Sequence, residues 1–215
     1  MESRALPLVV SPSGPARETL VARARLLAGL GIGWHAIEAA IAIGAGIAAS
    51  SIALVGFGAD SVIESVAGVV LIWRFGGNRS ASENAERRAY RLIGVSFWVI
   101  GAYVAVEAAR QLVGGTHPET SWIGIGLAVV TLATMPPLAR AKAKVADALG
   151  SAATKAEGRQ NMLCAYLSAG LLVGLGANAL LGWWWADPAA AFLIAGVALR
   201  EGREAWRGEA CCDAC

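Results

Sequence analysis

At 215 residues, with 56% hydrophobic and 16% charged residues and a mean hydropathy of +0.56, the chain lies outside the soluble globular range and reads as a membrane protein. Its net charge of +2, with no long basic run and no basic patch interleaved with aromatics, excludes a nucleic-acid partner. No P-loop, GxSxG or HExxH pattern occurs, so the motifs that carry enzyme chemistry are absent and no enzyme is expected.

Residues 1–25 begin with the polar leader MESRALPLVVSPSGPARETL, which lacks an apolar core followed by a small-residue cleavage site, so we expect a retained cytoplasmic tail. A hydrocarbon core ~30 Å thick takes roughly 20 helical residues to cross. Six stretches qualify, at about 26–48, 51–75, 91–113, 120–139, 152–181 and 186–205, and predict an all-α, polytopic, six-helix transmembrane bundle over residues 26–205. In the first span stand His35 and Glu38. The second contains GFGADSVIESVAGVVLIWRF, residues 56–75, with Asp60 and Glu64 inside an otherwise apolar run. Glu107 in the third lies three residues before Arg110 and predicts an ion pair near the outer surface. Pro136 and Pro137 are expected to end or kink the fourth. Gly150 and Ser151 read as a break and an N-cap before the fifth, which holds Gln160 and Cys164.

Charge placement sets the orientation. Four basic residues precede the first span (Arg4, Arg17, Arg23, Arg25), and five flank the second loop (Arg74, Arg79, Arg87, Arg88, Arg91). Five surround the fourth loop (Arg140, Lys142, Lys144, Lys155, Arg159), and three follow toward the end (Arg200, Arg203, Arg207). All fall on one side of a six-span arrangement, with only Arg110 toward the other, so both termini are expected in the cytoplasm and the chain in the cell (inner) membrane. The opposite loops, GIAASS, GGTHPETS and LGWWWADP, are short, and Trp122 and Trp183 to Trp185 suit interfacial anchors there.

An ionisable group within a span costs a few kcal/mol or more unless it faces the interior and finds a partner. Asp60 and Glu64, at i, i+4, stack on one helix face about 6 Å apart, where two like charges have no cheap structural explanation. Counting inward from the cytoplasmic ends sets Glu64 level with Gln160 and Asp60 level with Cys164, so two helices each present two donors for a tetrahedral metal site. His35 and Glu38 fall in the same layer and are candidates for additional ligands. Taken singly, Cys164 also reads as a small core residue, Gln160 as an interhelical contact and His35 as hydrogen-bonded structure.

ADSVIES, residues 59–65, preceded by GIAASSIALVGFGAD, resembles the second span of the cation diffusion facilitators. Ser151, Glu157, Ser168, Gly174, Gly182 and the Asp187–Pro188 start of the last span resemble the surroundings of that family's fifth-span motif. The resemblance implies a six-span exporter of zinc and related divalent ions, exchanging them for protons, with Asp60 and Glu64 in the acidic places. Gln160 then stands where the family has His and Cys164 where it has Asp. A thiolate suits zinc, copper(I) or cadmium, whereas Gln is a weak, neutral ligand that cannot titrate. His35 and Glu38 would restore the lost ligand types.

The tail, 206–215, ends GEACCDAC, where Cys211, Cys212 and Cys215 lie beside Glu209 and Asp213. Three thiols there can hold zinc or copper(I) as a delivery arm, or form a redox-active or merely fortuitous tail. The resemblance implies a folded metal-sensing domain after the sixth span; we expect none from so short a tail, and any homodimer to form through the transmembrane region. The expected activity is efflux of a divalent metal ion by alternating access, the ion (zinc, or cadmium, cobalt, iron, manganese or copper) being cargo and no cofactor being permanently bound. The competing readings are a non-transporting metal-binding or partner-stabilising membrane protein and a transporter of a small organic cation.

Overall fold

The computed structural model describes residues 15–74, 83–114 and 117–207. They form six helices and, among the described residues, no strand: α1 (Pro15–Ala49), α2 (Ile52–Arg74), α3 (Glu83–Gly114), α4 (Trp122–Leu149), α5 (Ala152–Leu181) and α6 (Ala186–Arg207). Four of them, α1, α2, α4 and α5, are long and apolar enough to cross a membrane. Large apolar side chains such as Leu30, Ile37, Val66, Val69, Ile123 and Val173 lie exposed, while His35, Glu38, Glu64 and Lys142 are buried. Apolar outside and ionisable inside is the arrangement a bilayer selects, and the chain is an all-helical membrane bundle.

The helices pair as α1 with α2, α4 with α5 and α3 with α6. Without a hydrophobic force between helices in lipid, close backbone approach carries much of this pairing. A methyl at Gly46 would lie 2.8 Å from the Val55 amide nitrogen, and one at Gly58 would lie 2.9 Å from that of Ile43, so both glycines are required for α1 to meet α2. On the α3–α6 face Trp98 stacks on Trp206 at 5.6 Å, and the Arg91 guanidinium covers the Trp206 ring. Phe57, Leu54, Leu171, Leu175, Val104 and Ile194 fill the apolar core between the pairs.

Ends of helices are fixed by local chemistry. The turn from α1 to α2 closes with Ser50 at φ 53°, the Ser51 amide donating to the Gly46 carbonyl at 2.9 Å and that of Ser50 to Ile47 at 3.3 Å. The Ser51 hydroxyl caps α2 by accepting from the Leu54 amide (3.2 Å) and donates to the Asp187 carboxylate. Asp187 also accepts from the Ala53 amide at 3.2 Å, so the start of α6 supplies the anion at the N-terminus of α2. On the same side Glu107 and Arg110 form the expected ion pair at 2.5 Å, and Trp184 stacks on His117.

Gly150, at φ 61°, ends α4, and Ser151 caps α5 through the Thr154 amide, as its sequence predicts. Two expectations for this region need correction. The helix does not end at Pro136 and Pro137: it runs through both to Leu149. A proline removes one donor and leaves a carbonyl one turn back unpartnered, a defect that a long helix packed against α5 tolerates. Lys142, read as a loop cation, consequently lies on a packed helix face, 1% exposed.

Candidate metal site

The site lies where α1, α2, α4 and α5 meet. His35 and Glu38 are three residues apart on α1 and therefore share a face. Both are buried, at 1% and 0% exposure. Ser61 and Glu64 face them from α2, Thr131 and Met135 from α4, and Asn161 and Cys164 from α5; all but Glu64 are at most 2% exposed, and Glu64 is at 4%.

Glu38 is the hub. Its Oε2 accepts from Ser61 Oγ at 2.9 Å, lies 3.1 Å from His35 Nδ1 and receives Cys164 Sγ at 3.9 Å. Its Oε1 accepts from Thr131 Oγ1. Nδ1 of His35 also stands 3.0 Å from Glu64 Oε2, while Nε2 stands 2.9 Å from Asn161 Nδ2. With the Asn161 amide donating to Nε2, the ring proton sits on Nδ1 and points at the two carboxylates. Glu64 Oε2 has the His35 ring as its ion-pair partner; among the described residues no hydrogen bond of good geometry reaches either Glu64 oxygen, and Asn161 Oδ1 has no partner.

Two buried carboxylates that share one imidazole nitrogen are costly, because Glu64 is left short of donors and the like charges repel. A cation placed among them removes both penalties. One donor atom from each of His35, Glu38, Glu64 and Cys164 lies within 4.8 Å of all the others. Tetrahedral zinc, with bonds of about 2.0–2.3 Å, needs donors roughly 3.3–3.8 Å apart. The group must therefore draw in by roughly 1 Å to ligate it, a shift within the reach of side-chain rotation. One imidazole, two carboxylates and one thiol are a donor set of intermediate softness, suited to zinc and cadmium more than to magnesium or calcium.

Asp60 is buried on α2, one turn toward the α1–α2 turn, and lies outside this group. Gln160 is half-buried, and its Nε2 has no hydrogen-bond partner among the described residues. Cys164 converges with Glu64 and Glu38 in this group, of which Asp60 is not a member. Cys211, Cys212 and Cys215 lie outside the described residues. A separate cavity of about 270 Å³ lies between the α1–α2 turn and α3, lined by Ser50, Val55, Glu107, Arg110 and Gln111 and by none of the site residues.

Residues 30–207 match the family described as the cation efflux transmembrane domain. The chain belongs to this family. The match agrees with the resemblance carried by Asp60 and Glu64, and at family level it makes the chain a metal cation efflux transporter, with the bilayer as its surroundings and a metal cation as its cargo. No individually curated protein matches the chain.

Three residues of the candidate site in this cation efflux domain escaped the sequence reading: Ser61, Thr131 and Asn161. Uncharged polar residues cost little in a span and often bond their own helix, as Ser65 does to the Ser61 carbonyl and Thr134 to that of Val130. Nothing in the sequence separates those from Thr131 and Asn161.

Proposed function

We propose that the domain exports a zinc-like divalent ion by alternating access, with His35, Glu38, Glu64 and Cys164 as its ligands. One observation carries this reading: four donor atoms from three helices converge within 4.8 Å in a buried site where the Glu38 and Glu64 carboxylates share one imidazole nitrogen. The site has moved relative to the arrangement the resemblance implies. The first span supplies a His and an acid where the fifth span has Gln160 and Cys164. Asp60, buried one turn away on α2, is the next carboxylate on the path toward the α1–α2 turn, and Gln160, one residue before Asn161 on α5, cannot titrate.

Ligation requires the thiol of Cys164 to lose its proton and the ring of His35 to shift its proton from Nδ1 to Nε2, so loading the ion displaces the thiol proton from the site. Exchange of the ion against a proton is the coupling this reading expects. In this reading all six helices span, both termini are cytoplasmic, the membrane is the inner cell membrane, and a homodimer forms through the transmembrane faces.

Zinc and cadmium uptake into inverted membrane vesicles tests the proposal. The full chain should accumulate either ion, and Glu64→Gln should abolish accumulation while retaining expression. Binding without accumulation would instead identify a non-transporting metal-binding protein. Accumulation of an organic cation with no metal affinity would identify the third reading.

A further inference from the structure

The polar interior has a second, separate layer below the site, toward the α4–α5 turn. Lys142 Nζ on α4 donates to Glu157 Oε1 on α5 at 2.8 Å, with the two side chains only 1% and 9% exposed. Glycines on the other two helices make room for the pair. A methyl at Gly31 on α1 would lie 2.9 Å from Lys142 Nζ and 4.0 Å from the His35 ring, and one at Gly68 on α2 would lie 3.5 Å from Glu157 Oε1. The pair therefore sits at the junction of the same four helices, one helical turn from His35. Among the described residues Glu157 Oε2 has no hydrogen-bond partner.

Structure alone does not call for an ion pair here. A buried pair is often no more stable than apolar residues of the same volume, because desolvation offsets the Coulomb gain. What it does provide is a plug with a sign. An ammonium fixed below two carboxylates repels an incoming divalent ion, and a carboxylate with an unused oxygen attracts one once the ammonium has left.

We propose that Lys142 and Glu157 form the gate on the α4–α5 side of the metal site: Glu157 is the first cation site an ion meets from that side, and the tethered ammonium of Lys142 fills it while the gate is shut. This rests on the transport reading above only for what the gate admits. Opening separates the pair, Lys142 extends along α4 toward solvent, and the ion passes Glu157 to reach Glu64 and His35.

Accessibility of Cys164, which lies behind the gate, reads the gate directly. The full chain in sealed vesicles of either orientation is treated with a membrane-impermeant maleimide, and modification of Cys164 is quantified by peptide mass spectrometry, which separates it from the tail cysteines. Asp147→Cys, at an exposed position near the end of α4, marks the face in question. Cys164 should react slowly in the unsubstituted chain. In Lys142→Gln and in Glu157→Gln it should react roughly tenfold faster or more, from the marked face alone, because a buried pair that loses one partner shifts the equilibrium toward the open state. The charge swap Lys142→Glu with Glu157→Lys should restore slow modification. Unchanged rates in both single variants, or a swap as reactive as they are, would overturn the gate. So would failure of both single variants to fold while the swap folds, since the pair would then serve stability alone. The readout needs no metal, so its failure leaves the ligand assignment standing, and unaltered zinc affinity in Glu64→Gln would sink that assignment without touching the gate.

Discussion

Asn161 on α5 holds its amide nitrogen 2.9 Å from Nε2 of His35 on α1, while Nδ1 of the same ring lies 3.1 and 3.0 Å from Glu38 and Glu64. Both ring nitrogens are engaged, so the imidazole is oriented before any ion arrives. For Nδ1 to ligate, the ring proton must move to Nε2, and the Asn161 amide must turn its unpartnered Oδ1 to accept it. Partners of this kind are worth about 10–100-fold in metal affinity. Asn161→Leu should weaken zinc binding by that order in a chelator-competition titration, with the chain still folded. Unchanged affinity would show that His35 is held by the carboxylates alone.

Thr131 donates to Glu38 Oε1 from a fully buried position on α4. Thr131→Val keeps the shape and orphans one carboxylate oxygen, a loss of about 1–3 kcal/mol. The expected outcome is a lower midpoint of thermal unfolding in detergent for the empty protein, with most of the loss recovered when zinc is added, because the ion takes over the freed oxygen. A loss that zinc does not recover would separate Glu38 from the metal.

Cys164 supplies the softest donor of the group. Cys164→Ser should reduce cadmium affinity more than zinc affinity, with the ratio changing by roughly tenfold, since thiolate ligation favours the softer ion. Parallel titrations with the two metals check this. Equal losses for both would mean that the thiol packs against Glu38 without ligating.

Asp187 serves as a control distant from the metal. It accepts from Ser51 and from the Ala53 amide at the N-terminus of α2, and it is fully buried. Asp187→Ala should cost about 1.5–3 kcal/mol of stability, the range for hydrogen bonds to a buried charge, and leave zinc affinity unchanged in the folded fraction. A selective loss of affinity would place the α2 N-terminus in the transport path.

How much of this was legible in the sequence depended on charge. Asp60, Glu64, His35 and Glu38 stand out because ionisable groups in an apolar span demand a reason, and three of the four converge in one buried cluster. The cap at Ser151 and the break at Gly150 were equally plain, because few residues can do either job. Lys142 was not: in ARAKAKVADALG it looks like one of several solvated cations, and only the continuation of α4 past Pro136 and Pro137 turns it inward. Thr131 and Asn161 were invisible for the opposite reason, their side chains being cheap enough in a span to need no partner. The register of α5 against α2 depends on where the turn at Gly150 sits relative to the end of α2, a tertiary quantity that counting from loop ends cannot supply.

The ligand set is tested most directly by X-ray absorption at the zinc edge on the purified full chain with Cys211→Ser, Cys212→Ser and Cys215→Ser, so that Cys164 is the only thiol left. The account predicts one sulfur at about 2.3 Å and three nitrogen or oxygen neighbours at about 2.0–2.1 Å, with the sulfur lost on adding Cys164→Ser. A first shell with no sulfur in the tail-substituted protein would contradict it and return the site to Asp60 and Glu64 without Cys164.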